Sequence, residues 1–158
     1  MKTHKYKQGL TLIEMVVVVG IIALLVTMII SLVSRFDNQA RERGLQSSFT
    51  LLEDALQEYH EFTDGFPEQP ETDFANAAAH SEYLYQQLYS IPDSRKILEK
   101  ISDSLIKNKY ETTQTLPEIY DPWGTSLEYR YSPGETFPVL ISAGPDKIFG
   151  TADDIRSR

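Results

Sequence analysis

An almost uncharged segment near the N-terminus constrains this chain more than any other feature. From Leu10 to Ser34 it carries one charged side chain, Glu14, and the next charge is Arg35. A helix needs roughly 20 apolar residues at ~1.5 Å each to cross the hydrocarbon core of a bilayer. The segment is also longer than the apolar region of a cleaved secretory signal, typically about 7 to 15 residues, and no Ala-x-Ala-like site closes it. We therefore expect it to remain in the mature protein as a transmembrane helix.

Glu14 indicates that this segment is more than an anchor. A carboxylate inside a membrane costs about 2.5 to 3.5 kcal/mol on insertion scales, so it calls for a partner. A short leader, Met1–Gly9, carries three lysines and ends at a glycine directly before the apolar segment. Cleavage after Gly9 would leave a free amine on Leu10, a positive charge one helical turn from Glu14.

The run GLTLIE at residues 9–14, followed by Met15 and four valines, resembles the class III leader and first helix of type IV pilins and type II secretion pseudopilins. The resemblance implies that a prepilin peptidase on the cytoplasmic face cuts after Gly9 and methylates Leu10. It also implies that Glu14 neutralises the N-terminal amine of a neighbouring subunit during filament assembly. Two positions depart from the pattern. The usual first mature residue is Phe rather than Leu10, and Ser31 stands where many members have a helix-bending proline, so helix loosening in the filament stays open.

The same resemblance implies a function and a location. We expect a structural subunit that assembles with its own copies into a helical periplasmic pseudopilus and drives type II protein secretion. Other expected partners are prepilin peptidase, minor pseudopilins, the inner-membrane assembly platform and, before assembly, membrane lipid. The leader lysines favour a cytoplasmic N-terminus, while Arg35, Arg41 and Arg43 on the far side are a counter-signal. Charge alone does not decide the orientation; the resemblance implies a single-pass inner-membrane protein with a periplasmic C-terminal domain.

Two other interpretations stay open. A type IV pilin or a minor pseudopilin would share the N-terminus without the calcium loop described below. A single-pass anchor carrying a ligand-binding domain belongs to a different class, and in it Glu14 would merely reach toward the membrane interface.

The remaining chain is long enough for one small domain. Of 158 residues, we assign 1–9 to the leader, 10–34 to the transmembrane and filament-core helix and 35–158 to the globular domain. The formal net charge of −8 becomes about −11 once the three leader lysines are removed, which argues against nucleic-acid binding and favours divalent cations or basic partners. There is no cysteine for a disulfide or a zinc site. The three histidines lie in unrelated contexts, so no enzyme is predicted.

The helix is expected to continue beyond the membrane to about Thr63. No proline occurs from Arg35 to Thr63, and apolar residues recur at mostly three- and four-residue steps. They form an amphipathic stripe: Phe36, Ala40, Leu45, Phe49, Leu52, Ala55, Leu56, Tyr59 and Phe62. The sequence DGFP at 64–67 should end the helix, with Gly65 in the left-handed conformation.

The middle section predicts a loop from Glu68 to His80 and a short helix from Ser81 to Tyr89. Pro92 should interrupt it, and a further helix capped by Asp93 or Ser94 should run to about Asn108. This insert is larger than in typical major pseudopilins, and we expect its helices to cover a sheet.

From Leu116 the hydrophobic period changes to two. Residues 126–131 and 137–142 alternate as strands of an antiparallel hairpin, with a turn at Pro133-Gly134. Asp121-Pro122-Trp123-Gly124 has the residues of a type I turn, and Trp123 should pack over the sheet. This turn and the tyrosine-rich strand are similar to the major pseudopilin of type II secretion systems. The predicted fold class is α+β, with a long N-terminal helix packed against a small antiparallel sheet and short helices.

The loop at residues 142–154 is the second candidate site. Three aspartates fall within nine residues of this loop, whose glycines let the backbone fold around a centre, and calcium takes about six to eight oxygen ligands of mixed kinds. The EF-hand order is absent, and a solvated acidic turn remains the alternative from composition alone.

The spacing in this loop also resembles the calcium loop of major pseudopilins. That resemblance implies one calcium ion held by the side chains of Asp146, Asp153 and Asp154 with oxygens from Ala143, Ile148 and Thr151. Lys147 is discordant, because its charge would repel calcium unless it points outward. A bound ion would give this cysteine-free domain a cross-link.

Overall fold

A single helix, α1 (Leu12–Thr63), forms the first part of the computed structural model, which describes residues 11–109 and 116–158. Its C-terminal end confirms the predicted boundary. Backbone contacts divide the chain into two units, Met1–Gln39 and Ala40–Arg158.

The first unit carries the apolar segment. Leu12–Ile29 is long and apolar enough to cross a membrane, and none of this span is buried inside the chain. Its large side chains are exposed throughout. This part of the helix therefore has no hydrophobic core of its own.

In the second unit, α1 buries the central part of the predicted stripe. Leu45, Phe49, Leu52 and Leu56 are buried in the main core. The ends of the stripe do not follow the prediction, since Phe36 and Phe62 are about 70 % exposed (69 % and 70 %). Helical spacing places residues on one face, but burial also requires another element against that face.

The end of α1 differs in detail from the prediction. Asp64, rather than Gly65, takes the left-handed conformation, with φ at 59°. Its N–H donates to the His60 carbonyl over 2.8 Å. Aspartate tolerates the left-handed region better than most residues because its short polar side chain can form hydrogen bonds with the nearby backbone.

The second helix, α2 (Ala77–Ser90), begins earlier than predicted. A 3-10 turn, Phe74–Asn76, leads into it and is capped by the Asp73 carboxylate, which accepts from the Ala75 N–H over 2.9 Å. The predicted loop through His80 is therefore wrong in its second half. The three consecutive alanines at 77–79 have the highest intrinsic helix propensity, which extends the helix backward.

The third helix, α3 (Pro92–Leu98), is shorter than predicted and begins at the proline itself. The expected cap at Asp93 or Ser94 is wrong, since Ile91 occupies the N-cap position. Proline fits the first helical position because that N–H has no intrahelical partner. The expected extension to Asn108 is also wrong. The Ser-Asp-Ser run at 102–104 favours turns over helix, and the Leu105 N–H donates to the Ser102 carbonyl.

Within residues 11–109 and 116–158, five short strands form two antiparallel sheets. The first sheet pairs β1 (Ile106–Lys107) with β2 (Glu118–Ile119). The second sheet contains β3 (Glu128–Arg130), β4 (Val139–Ser142) and β5 (Ile155–Arg156), in that order. The predicted hairpin is confirmed, with Tyr129 opposite Leu140. Strands β1, β2 and β5 were not predicted, because two-residue strands are too short to show alternation in the sequence.

One buried carboxylate, Asp121, organises the connection into the second sheet. Its Oδ1 accepts from the N–H groups of Trp123, Gly124 and Thr125 over 2.8 to 3.0 Å. Its Oδ2 accepts from the Ser142 hydroxyl at 2.7 Å. The predicted turn is confirmed by the Gly124 N–H to Asp121 carbonyl bond, and Trp123 is buried in the core as expected.

A single core joins α1, α2, α3 and the sheets of the second unit. Its buried members include Leu84 and Leu88 from α2, Leu98 from α3, and Ile119, Leu127, Tyr129 and Leu140. The α+β class is confirmed, and this core positions the loop at residues 142–154.

Candidate functional site

The first candidate site is the start of α1. Thr11 precedes the helix, and its N–H and hydroxyl both donate to Glu14 Oε2 over 2.7 Å. The Glu14 N–H donates in return to the Thr11 hydroxyl at 3.4 Å. This reciprocal arrangement is a capping box, which satisfies N–H groups that a helix start otherwise leaves without partners.

The capping box was not predicted, although its signal is present in the sequence. A threonine followed three residues later by a glutamate, directly before an apolar run, is the usual signature. Glu14 therefore has a structural role within its own chain. Its other oxygen, Oε1, makes no hydrogen bond to any residue that the structure describes, so it can accept from a second donor.

The other two residues of the predicted processing site, Gly9 and Leu10, lie outside the described residues. The region that follows them offers Glu14 an apolar setting, since Ile13, Val17 and Val18 lie beside it on the exposed helix surface. A carboxylate in this setting is accessible to a neighbouring chain.

The second candidate site is the loop between β4 and β5. Asp146 Oδ1 accepts from the Ile148 N–H at 2.9 Å, and its Oδ2 accepts from the Thr151 hydroxyl at 2.8 Å. The same hydroxyl lies 3.2 Å from the Ile148 carbonyl oxygen. Asp154 Oδ2 accepts from the Gly150 N–H at 2.9 Å. Three of the six predicted ligand residues, Asp146, Ile148 and Thr151, are thus joined by hydrogen bonds, and Asp154 bonds to Gly150 of the same loop.

Asp154 leaves one buried oxygen without a partner. Its Oδ1 is shielded from solvent and makes no hydrogen bond. An ionised buried oxygen without a donor is unfavourable, and a cation is one group that would satisfy it. Among the described residues, none of the recorded ion pairs involves Asp146, Asp153 or Asp154.

The two ends of this loop approach each other closely. Gly144 has φ at 68°, and a Cβ at this position would overlap the Asp153 carbonyl. The Gly144 N–H donates to the Ser142 hydroxyl, which in turn is bound by Asp121.

The structure does not bring all three aspartates into one acidic cluster. No group of three or more His, Cys, Asp or Glu side chains within the described part of the chain could hold a metal. Any cation here would therefore depend on the mixture of carboxylate, hydroxyl and carbonyl oxygens that the loop supplies. Lys147 is exposed, with φ at 62°, so its charge is accessible to solvent.

The comparisons with known proteins address the first site. The model of the prokaryotic N-terminal methylation motif matches residues 4–30. Neither a curated protein nor a solved structure matches the chain.

The fold and the first site define a class, an α+β protein whose N-terminal helix is apolar enough to span a membrane and carries a carboxylate in its first turn. The methylation motif covers residues 4–30 and supports a likeness to type IV pilin-like proteins. Such a motif implies processing by a prepilin peptidase and pilus-like assembly.

Proposed function

We propose that this chain is a structural subunit of a periplasmic pseudopilus that drives type II protein secretion. The observation that carries the proposal is the combination at residues 4–30 of the methylation motif, the exposed apolar helix and Glu14. Exposed apolar surface on this scale requires either lipid or other copies of the helix. The membrane would supply lipid before assembly, and the filament would then supply other copies of the helix.

The proposed assembly has four steps. The leader inserts the chain with its N-terminus in the cytoplasm, and the peptidase cuts after Gly9 and methylates Leu10. The Leu10 amine of one subunit then approaches Glu14 of a neighbour, and Oε1 accepts from it while Oε2 retains Thr11. The apolar helices pack into a helical core, and the domain at 35–158 coats the outside. Minor pseudopilins and an inner-membrane platform are the proposed partners in this process.

The capping box gives the anchor interpretation a specific observation in its favour, because Glu14 is already satisfied within one chain. Glutamine can take the place of glutamate in a capping box, whereas charge pairing with an amine needs the carboxylate. Glu14→Gln therefore separates the two roles.

The decisive experiment expresses the wild type, Glu14→Gln and Glu14→Ala at matched levels and scores filaments by electron microscopy. Both variants should lose filaments while the domain remains folded by circular dichroism. Filaments from Glu14→Gln with none from Glu14→Ala would support a capping role alone and contradict the proposal. N-terminal sequencing of the membrane protein should begin at Leu10, methylated, in all three.

The choice between a pseudopilus and a type IV pilus needs a second measurement. Deleting the gene should reduce export of folded proteins across the outer membrane and leave surface motility unchanged. The opposite result would assign the chain to type IV pili. A bitopic anchor with a ligand-binding domain predicts that Glu14→Ala affects neither.

We also propose that the loop at 142–154 binds one calcium ion. Asp146, Asp153 and Asp154 would supply carboxylate oxygens, and Ala143, Ile148 and Thr151 the remaining protein oxygens. The unpartnered Asp154 Oδ1 and the polar lining of the loop support this assignment. The ion would cross-link two ends of a loop in a domain that has no disulfide.

Melting the full-length protein in detergent micelles tests the ion. The melting temperature should be higher in excess calcium than in excess chelator. A ligand that binds only the folded state stabilises it by RT ln(1 + [L]/Kd). Dividing that free energy by the entropy of unfolding gives an expected rise of several degrees at saturation. Asp154→Asn should remove the response, whereas Asp93→Asn, an exposed acid on α3, should keep it. An unchanged wild-type midpoint would leave the loop as a self-bonded acidic turn.

A further inference from the structure

An aromatic pair joins the loop at 142–154 to the capped 3-10 turn at 73–76 that leads into α2. The rings of Phe149 and Phe74 are stacked, with their planes 5° apart and their centroids 4.8 Å apart. Both residues are partly buried. Offset-stacked rings at this separation attract each other beyond the effect of burying their area. The pair is therefore a specific contact between two segments that are distant in the chain.

The Phe74 ring is held in place by strand β3. The guanidinium carbon of Arg130 lies 4.2 Å from the centre of this ring, and a cation within about 6 Å of an aromatic centroid is attracted to the ring. Arg130 also donates from Nε to Glu128 Oε1 at 2.8 Å and from Nη2 to the Thr72 carbonyl at 2.9 Å. Phe74 therefore has a fixed position relative to the second sheet.

Glu128 fixes the Arg130 side chain in turn. The Glu128 side chain is fully buried, whereas the Arg130 side chain is 22 % exposed. The second carboxylate oxygen of Glu128, Oε2, lies 3.0 Å from Nδ1 of the buried His80 on α2. A buried carboxylate with contacts at both oxygens resists displacement, because losing a partner would leave it unsatisfied. The support of the Phe74 ring thus begins in the interior of the second unit.

On the other side of the pair, the backbone around Phe149 is bonded to two of the proposed calcium ligands. The Ile148 N–H, directly before Phe149, donates to Asp146 Oδ1 at 2.9 Å. The Gly150 N–H, directly after Phe149, donates to Asp154 Oδ2 at 2.9 Å. A displacement of residue 149 would therefore displace both carboxylates. The position of the ring and the arrangement of the two carboxylates are coupled.

We propose that Phe149, held by Phe74, is a positioning residue that raises the affinity of the loop for calcium, and that bound calcium in turn orders the capped turn at 73–76. This inference rests on the proposed calcium site. Neither ring supplies a ligand atom. The stack contributes by preorganisation, because a loop that is already ordered loses less conformational freedom when it binds an ion.

The coupling has the same size in both directions. If the stack raises the affinity for calcium by some factor, calcium stabilises the stack by the same factor. A stack that only packs two surfaces together behaves differently. Its loss would lower the melting temperature and leave the dissociation constant of calcium unchanged. The dissociation constant therefore separates positioning from packing.

Calorimetric titration of calcium into chelator-treated, full-length protein in detergent micelles measures this constant. Phe74→Leu keeps an apolar side chain and every ligand residue, and should raise the dissociation constant about two- to tenfold. Phe66→Leu is the matched control, since Phe66 is also partly buried but its ring packs on Tyr131 and Phe137. It should retain the wild-type constant. Equal constants for the wild type and Phe74→Leu would overturn the proposal.

A double-mutant cycle shows whether the two rings act as a pair. Phe149→Leu should weaken calcium binding about as much as Phe74→Leu does. The double variant should be no weaker than the weaker single variant, because the contact is already lost in each. Independent, additive effects of the two substitutions would contradict coupling through the stack.

Amide hydrogen exchange of the wild type covers the case in which the leucine variants do not fold. Saturating calcium should slow exchange at residues 73–76 up to about tenfold, and the amides of α3 should serve as an internal reference that does not respond. Calcium binding without slower exchange at 73–76 would refute the coupling and leave the calcium site standing. Absence of calorimetric binding to the wild type would overturn the calcium site and this inference together.

Discussion

Two stretches of α1 are similarly apolar but have opposite environments. Leu24 in the N-terminal stretch is 67 % exposed, whereas Leu52 in the C-terminal stretch is fully buried. The second stretch contributes to a core with the sheets and α2, and the first has only solvent around it in a single chain. The apolar content of a helical stretch therefore does not predict whether that stretch is buried within its own chain. The exposed apolar surface of the first stretch calls for a covering that a single chain does not supply.

The largest expected difference between the two stretches comes from the same substitution made in each. Leu52→Ala should lower the free energy of unfolding by about 3 kcal/mol, because it leaves a cavity in a packed core. Leu24→Ala should change it by less than about 0.5 kcal/mol. Chemical denaturation in detergent micelles measures both. Equal effects would mean that the exposed stretch also has a packed partner within one chain.

The next effect concerns how tightly the backbone of the second unit is packed. Gly144→Ala places a Cβ against the Asp153 carbonyl at a positive φ and should cost about 2 to 3 kcal/mol. Gly150 also has a positive φ, 84°, but nothing lies near its Cβ position. Gly150→Ala should therefore cost only about 1 kcal/mol. The difference between the two denaturation midpoints measures the cost of the contact between the new Cβ and the Asp153 carbonyl. Equal midpoints would show that residue 144 has room for a Cβ.

In a chain cleaved after Gly9, an alkaline titration above pH 10 reports on the second unit, because residues 11–39 contain no tyrosine, lysine or histidine. Burial, followed by the nearby charge of Glu118, raises the pKa of Tyr120 to about 12 from its usual value of 10. Above pH 10 the unfolded chain loses this proton and the folded chain does not, so stability should fall with rising pH.

The expected fall is up to ~1.4 kcal/mol per pH unit for this one group. Burial also raises the pKa of Tyr129, so Tyr120→Phe should reduce the slope between pH 10 and 11 without abolishing it. Thermal melts of the two proteins in this range provide the measurement. Identical slopes would show that Tyr120 ionises equally in the folded and unfolded chains.

The smallest effect belongs to the first unit. Thr11→Ala removes the cap of α1 and should weaken the first helical turn by about 1 kcal/mol. Thr27→Ala is the matched control, since the Thr27 hydroxyl bonds to the Leu24 carbonyl inside the same helix and caps nothing. Amide hydrogen exchange of residues 12–15 should accelerate in the first variant alone.

Local patterns predicted the parts of the fold that depend on local chemistry. The extent of α1, the hairpin of β3 and β4, and the turn at Asp121 all follow from periodicity or turn residues close together in the chain. The end of α3 was missed because apolar spacing at 97–105 outweighed the turn-forming Ser-Asp-Ser run. The capping box of Thr11 and Glu14 was not predicted, although a threonine followed three residues later by a glutamate is its usual sequence signature.

Contacts between distant residues could not be read from the sequence. His80 and Glu128 are 48 positions apart, and neither lies in a motif that points to the other. Their pairing depends on how α2 crosses β3. In the same way, the unpartnered oxygen of Asp154 depends on the folded path of the loop, while its position among the candidate ligands came from a resemblance.

Asp121 has a consequence for which sequences can encode this domain. One carboxylate serves three backbone N–H groups with one oxygen and a serine hydroxyl with the other. Asparagine could keep the three N–H bonds through its oxygen, but the Ser142 hydroxyl, which already accepts from the Gly144 N–H, would have to accept from the asparagine NH2 as well. Glutamate would be one methylene too long for the turn. In a saturation library selected for folded protein, this codon should tolerate few replacements, with asparagine the first of them, while neighbouring surface positions vary freely.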